Sequence, residues 1–216
     1  MQRIVIFDMD GTLIDSATDI TLSINYVRTH YYHLDDLSER FVVDAINASE
    51  RNLAHLFYDT DHYDEAAKAL FEKHYHTQCT QNVRAYNGIT ETLVKLHSQG
   101  CLLGVATNAP SKFAKRMLSH LQLSQYFTHI IGADNVEHPK PHPQMIKIHL
   151  EHHGFRPTHD RAWMIGDNKK DMDAAASANI TGIFAAWGFS ESGNGDYLVS
   201  DPCELSAIIL EEVCDA

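Results

Sequence analysis

A chain of 216 residues has room for one large domain, or for a core with a modest second unit. Its 44% hydrophobic and 21% charged content is ordinary for a soluble globular protein. A formal net charge of -12 argues against a nucleic-acid groove, which selects for an excess of Lys and Arg, but allows a small anionic substrate where a local cation reverses the field.

The first apolar run, Ile4-Val5-Ile6-Phe7, predicts a strand that leads straight into Asp8-Met9-Asp10-Gly11-Thr12-Leu13. Two carboxylates two positions apart project the same way if the extended geometry continues. Held that close they repel, so a folded site must supply hydrogen bonds, a cation or a shared proton. Gly11 lets the chain turn sharply and approach a ligand, and Thr12 adds a hydroxyl beside it. This segment reads as a site.

From residue 16 to about 85 the pattern is helical. Ile20, Ile24, Val27 and Tyr31 recur on one helix face, opened by Ser16 with Asp19 three positions on, the spacing of a capping box. Phe41, Val42, Ala45 and Ile46 suggest a second helix, Leu53, Leu56 and Phe57 a third, and Ala66, Ala67, Leu70, Phe71 and His74 a fourth. Helix and strand then alternate. Ile89, Leu93 and Leu96 mark a helix closed by Gly100, and residues 101–106 a buried strand ending at Thr107-Asn108. A helix over 111–121 precedes the strand 129–132, and another helix begins near Pro143 and stops before Gly154. The strand 162–165 runs into Gly166-Asp167, a helix covers 171–178, a strand 181–186, and the closing helix 205–213.

Apolar strands separated by helices imply an α/β fold with a parallel sheet covered on both faces. The core comprises residues 1–15 and 86–216, and 16–85 is a small all-helical unit inserted after the first strand. That insert is expected above the carboxyl edge of the sheet, where open α/β folds bind ligands.

No apolar run approaches the ~18 residues of a membrane span, and Asp8 interrupts the N-terminal run too early for a secretory segment. Cys79, Cys101, Cys203 and Cys214 have no CxxC spacing and read as reduced thiols of a cytoplasmic protein. The fifteen histidines are scattered without ligand spacing and read as surface or helix-end imidazoles.

Four segments end strands and so converge on one edge: Asp8 with Asp10, Thr107-Asn108, Lys140 within His138-Pro139-Lys140-Pro141, and Asp167 with Asp171. Taken singly, each has a plain reading as a turn, a helix start or a loop. Their joint order makes a site for phosphoryl transfer. A carboxylate can be the nucleophile if a divalent cation and a cationic side chain neutralise the incoming phosphate. Asp8 and Asp167 would supply oxygens to Mg²⁺, Thr107 and Asn108 would hydrogen-bond phosphoryl oxygens, and Lys140 would hold phosphate and quench carboxylate repulsion.

These residues resemble the haloacid dehalogenase superfamily, in its phosphatase branch. The resemblance implies a Rossmann-like core with an inserted helical cap. Asp8 would carry an aspartyl-phosphate, and Asp10 would act as general acid and then general base. The Asp10 main-chain carbonyl would join Asp8 and Asp167 on Mg²⁺, with Asp171 supporting from behind. Residues 13–20, Trp187-Gly188-Phe189, Asp196-Tyr197-Leu198 and Glu204-Leu205 are similar to phosphoglycolate phosphatases. The cap exit, Arg84-Ala85-Tyr86-Asn87-Gly88, lacks the expected proline, residues 47–51 lack a glycine-rich loop, and Asn168 replaces a serine or threonine.

The expected activity is hydrolysis of a small phosphorylated metabolite, with Arg51 in the cap as a candidate substrate contact and the chain a monomer or homodimer. A sugar phosphomutase of the β-phosphoglucomutase kind would use the same core residues, and a non-catalytic phosphate sensor would keep the same fold.

Overall fold

A computed structural model describes residues 1–48, 52–190 and 192–211. In chain order the elements are β1 (Arg3–Phe7), β2 (Ile14–Asp15), α1 (Ala17–Val27), α2 (Glu39–Asn47), α3 (Leu53–Tyr58), α4 (Glu65–Gln78), β3 (Arg84–Ala85), α5 (Ile89–Ser98), β4 (Leu102–Ala106), α6 (Ser111–His120), β5 (Phe127–Ile131), α7 (Gln144–His152), β6 (Arg161–Gly166), α8 (Lys169–Ser177), β7 (Thr181–Ala185), β8 (Tyr197–Val199) and α9 (Leu205–Glu211). The chain divides into two compact units, 1–14 with 85–216, and 15–84. No described helix is long and apolar enough to cross a membrane.

The larger unit is an α/β fold with a Rossmann-like six-stranded sheet, ordered β5-β4-β1-β6-β7-β8 and parallel throughout. From β1 the chain builds outward first through β4 and β5, then on the other side through β6, β7 and β8. The order therefore reverses beside β1, and the carboxyl end of such a strand is where open sheets leave a crevice. Register keeps the strand ends level. Phe7 stands opposite Val105 on one side and Ile165 on the other, so Asp8, Thr107 and Asp167 emerge along one edge.

Both faces of β1 are buried, which is why its sequence is a continuous apolar run rather than an alternation. Ile4 and Ile6 pack with Met145, Ile146 and Leu150 of α7 and Ala174 and Ala175 of α8. Val5 and Phe7 are equally inaccessible on the other face. Each such side chain contributes on the order of 2 kcal/mol by leaving water, which anchors the strand that carries Asp8.

The smaller unit has its own core of Ile24, Val27, Val42, Ala45, Phe57, Tyr58 and Ala67. Two expectations for its first helix are corrected. Ser16 makes no side-chain cap; Asp19 instead lies fully buried and accepts from Gln78 Nε2, Asn82 Nδ2, Asn82 N and Val83 N at 2.7–3.0 Å. Its carboxylate ties the start of α1 to the end of α4 and the segment beyond. The apolar stripe also slips by one residue, because α1 widens into a π-helical turn over Arg28–Tyr32. Tyr32 therefore joins the core and stacks on Tyr58, while Tyr31 stays 38% exposed.

One histidine departs from the expected surface placement. His149 on α7 is 1% exposed and lies against Gly104, where a Cβ would come within 2.5 Å of its ring. Val105 O can only accept, so Nε2 carries the proton of their 3.0 Å bond, and Nδ1 is left buried without a partner. Burial brings the imidazole pKa down to about 4, opposed by the Val105 bond and assisted by His129, His153 and His152. Among the described residues Cys79, Cys101 and Cys203 form no disulfide, and Cys214 lies outside them.

Asp19→Ala would orphan four donors and is expected to cost about 3 kcal/mol. Hydrogen exchange should show the loss concentrated in 15–84; an unchanged protection pattern would contradict the tie. Because His149 is neutral in the fold and charged in the unfolded chain below about pH 6.5, its stabilisation is complete above that pH and falls away toward pH 4. Urea titrations at pH 7 and pH 5 should show wild type losing about 2 kcal/mol more than His149→Gln, which keeps an N–H for Val105. Equal losses would remove His149 from the acid sensitivity.

Candidate active site

β1 delivers Asp8 at its last turn of pleat, where the Asp8 amide is still fastened to Ile165 O of β6 at 2.8 Å. The chain then folds back over Met9, whose carbonyl accepts from Thr12, Leu13 and Ile14. This turn needs Gly11 at a φ of +81°, and a Cβ there would strike the Asp167 carboxylate at 2.4 Å. The close approach foreseen for Gly11 is thus to another acidic residue of the site.

Asp167 follows β6 directly and is 1% exposed. Its Oδ1 accepts from the Thr12 hydroxyl at 3.2 Å, and its Oδ2 from the Phe189 amide at 2.9 Å. Asp171 sits in the first turn of α8. Its Oδ2 accepts from the Asn168 amide, completing a capping box with the Asn168 side chain. The plain reading of this segment as a helix start is therefore true alongside the chemical one.

Lys140 joins the two halves. Its ammonium is 2.7 Å from Asp8 Oδ1 and 2.6 Å from Asp171 Oδ1, and the residue is 4% exposed. Burial works against its charge, but Asp171 and Asp8 outweigh that and raise its pKa above the ordinary lysine value. The loop carrying Lys140 is held by Asn108, whose side chain donates to Lys140 O at 2.8 Å and accepts from Lys140 N at 3.1 Å. Asn108 thus spends its amide on positioning Lys140, a use that spacing alone did not suggest. Thr107 Oγ1 accepts from Ala109 N at 3.1 Å, leaving its hydroxyl proton to donate elsewhere.

Asp8, Asp167 and Asp171 can bring one oxygen each to within 4.8 Å of one another. Burial first, then Asp8 and Asp171, push the Asp167 carboxyl up to about 8. Burial and Asp8 likewise raise Asp171, against the pull of Lys140. Three carboxylates and one ammonium leave two negative charges when all are ionised, which one divalent cation would offset. The donor set, all oxygen and partly neutralised by Lys140, suits Mg²⁺ rather than a softer metal.

Of the residues singled out from sequence, Asp8, Lys140, Asp167 and Asp171 meet in this cluster, and Thr107 and Asn108 lie on the adjoining strand end. Asp10 lies in the turn, bridged to Ile14, and its carboxylate is not one of the three that gather. Arg51 lies outside the described residues. Sequence reading missed the site's backbone donor, Phe189 N, and the indole of Trp187, which donates to Thr12 O at 3.0 Å. Trp187-Gly188-Phe189 stands out in the sequence only as a family likeness, since nothing in residue type announces a main-chain amide aimed at a carboxylate.

Comparison with known proteins gives a consistent picture. The haloacid dehalogenase-like hydrolase family profile matches residues 5–185. A phosphoglycolate phosphatase of Aquifex aeolicus is 32% identical, with 94% of each chain covered. One from Aliivibrio fischeri is 30% identical over 87% of this chain and 86% of its own. Among solved structures, a predicted phosphoglycolate phosphatase from Haemophilus somnus superposes with a TM-score of 0.83 at 25% identity, covering 96% of this chain and 97% of that one.

Removing Lys140 strands the buried Asp171 carboxylate and the partly buried Asp8 carboxylate. Lys140→Met is expected to lower stability by about 3 kcal/mol in urea titration, and pairing it with Asp171→Asn should recover part of that loss. Strictly additive losses would deny the coupling.

Proposed function

The chain belongs to the haloacid dehalogenase-like hydrolase family and is a phosphoglycolate phosphatase-like phosphomonoester hydrolase; from that premise we propose a Mg²⁺-dependent reaction through an aspartyl-phosphate on Asp8. The observation that carries this reading is the buried Lys140 ammonium, 2.7 Å from Asp8 and 2.6 Å from Asp171, two carboxylates that gather with that of Asp167. A nucleophilic carboxylate must meet a phosphate that carries like charge; Lys140 supplies one fixed positive charge for that encounter, and a divalent cation would supply the rest.

Asp8, Asp167 and the Asp10 main-chain carbonyl would hold Mg²⁺, with Asp171 keeping Lys140 and the first turn of α8 in place. When bound, the ion draws charge from the phosphoryl oxygens. The protein's own groups do the rest. An Asp8 oxygen attacks phosphorus as the bond to the leaving oxygen breaks, and Asp10 gives that oxygen a proton. Asp10, now ionised, takes a proton from water, whose oxygen attacks phosphorus and breaks the bond to Asp8. Inorganic phosphate leaves and both aspartates return to their starting states. The Thr107 hydroxyl and the Lys140 ammonium bind phosphoryl oxygens throughout, while the Asn108 side chain keeps Lys140 in register.

The substrate class is a small phosphorylated metabolite, with phosphoglycolate the first to test on the strength of the relatives' activity. Residues 15–84 form the compact unit from which its selectivity would come.

Phosphate release from p-nitrophenyl phosphate and from phosphoglycolate should require Mg²⁺. Asp8→Asn should abolish it, a loss of at least about 10³-fold, with an unchanged circular dichroism spectrum. Retained turnover would remove Asp8 as nucleophile. Comparable release from every phosphorylated metabolite in a panel would remove the phosphoglycolate assignment alone.

A further inference from the structure

β7 ends at Ala185, and after Ala186 the residues 187–189 cross toward the turn that follows β1. Three of their contacts converge there. The Trp187 indole N–H donates to Thr12 O at 3.0 Å. The Phe189 amide donates to Asp167 Oδ2 at 2.9 Å. Gly188 between them is so tightly placed that a Cβ would fall 1.9 Å from Gly11 O and 2.7 Å from Asp167 Cβ. Thr12 closes the circuit by donating its hydroxyl to Asp167 Oδ1 at 3.2 Å.

We propose that Trp187-Gly188-Phe189 is a positioning strap that fixes the Asp167 carboxylate against the Gly11-Thr12 turn and thereby sets the affinity of the site for its divalent cation. The inference rests on the reading that Asp8 and Asp167 hold that cation. The strap fastens both partners at once. Trp187 grips the turn that follows Asp8, Phe189 grips Asp167, and Gly188 allows the contact to close. With Oδ1 taken by Thr12 and Oδ2 by Phe189, rotation of the Asp167 carboxylate would break a bond at either end.

The strap is itself anchored. Ala186 N donates to Val199 O at 2.8 Å, and the returning chain is tied to β7 by Asp196 N to Gly182 O and Gly182 N to Asp196 Oδ2, both 2.8 Å. A restraint of this kind matters because groups that orient ligating carboxylates govern metal affinity, commonly by 10–100-fold when removed. Trp187 touches neither the phosphate-binding side chains nor Lys140 among the contacts described, so its effect should fall on the metal and not on phosphate-ester binding.

Trp187→Phe keeps most of the ring and removes the N–H. Mn²⁺ binding to the substrate-free protein, followed by electron paramagnetic resonance, should weaken about tenfold relative to wild type. The Mg²⁺ concentration for half-maximal activity should rise in step, while KM for p-nitrophenyl phosphate at saturating Mg²⁺ changes less than twofold. In ¹⁵N-indole spectra of wild type, the Trp187 resonance should move on Mg²⁺ addition. That of Trp163, buried in β6 with no partner for its N–H, should stay fixed. Gly188→Ala should weaken Mn²⁺ at least as much. Wild-type protein that fails to bind Mn²⁺ would overturn the metal reading and the strap with it. Wild type that binds while Trp187→Phe binds equally well, or a variant whose KM shifts as much as its metal affinity, would overturn the strap alone.

Discussion

A lysine ammonium with almost no access to water, lodged between two carboxylates, is the constraint around which the larger unit is organised. An isolated ammonium in that position would lose its proton or unfold its surroundings; paired with Asp8 and Asp171 it stays charged. The pairing requires three distant segments to arrive together with little tolerance: the end of β1, the loop before α7 and the first turn of α8. Everything nearby serves that convergence. Asn108 grips the Lys140 main chain from both sides, the Asn168–Asp171 capping box fixes the acceptor, and the Ile165 carbonyl holds the Asp8 amide.

The sheet explains why such convergence is affordable in stability. β1 lies centrally between β4 and β6, with its apolar side chains buried on both faces, so the strand that carries the nucleophile candidate is among the most firmly held in the chain. Polar strain at its end is borne by apolar burial along its length. The helical unit has a different economy: a small apolar core, a stacked tyrosine pair and one buried carboxylate, Asp19, that closes the unit by holding its two ends. The Asp15–Arg84 ion pair, at 3.0 Å, adds a more exposed tie at the same place.

Charge balance links the cluster to function. Lys140 offsets one of three carboxylates, and burial together with the mutual repulsion of the rest raises Asp167 and Asp171. A divalent ion would restore that balance, which is why the acidic cluster reads as a candidate cation site. The same logic gives the strap after β7 its importance, since a carboxylate under repulsion keeps its place only if hydrogen bonds hold it.

The alternation of apolar runs and helical stripes determined the parallel sheet, and the order of short motifs at strand ends determined the family, because both depend on local pattern. The side chains of Asp8, Lys140, Asp167 and Asp171 could be named from spacing for the same reason. The tertiary structure alone decided the rest. Asn108 serving Lys140, His149 entering the core over Gly104, Asp19 leaving its expected cap for Gln78, Asn82 and Val83, and the Phe189 amide meeting Asp167 all depend on partners far away in sequence. The slip from Tyr31 to Tyr32 arose from one wider helical turn. Residue type states what a group can donate or accept, but only the folded chain chooses its partner.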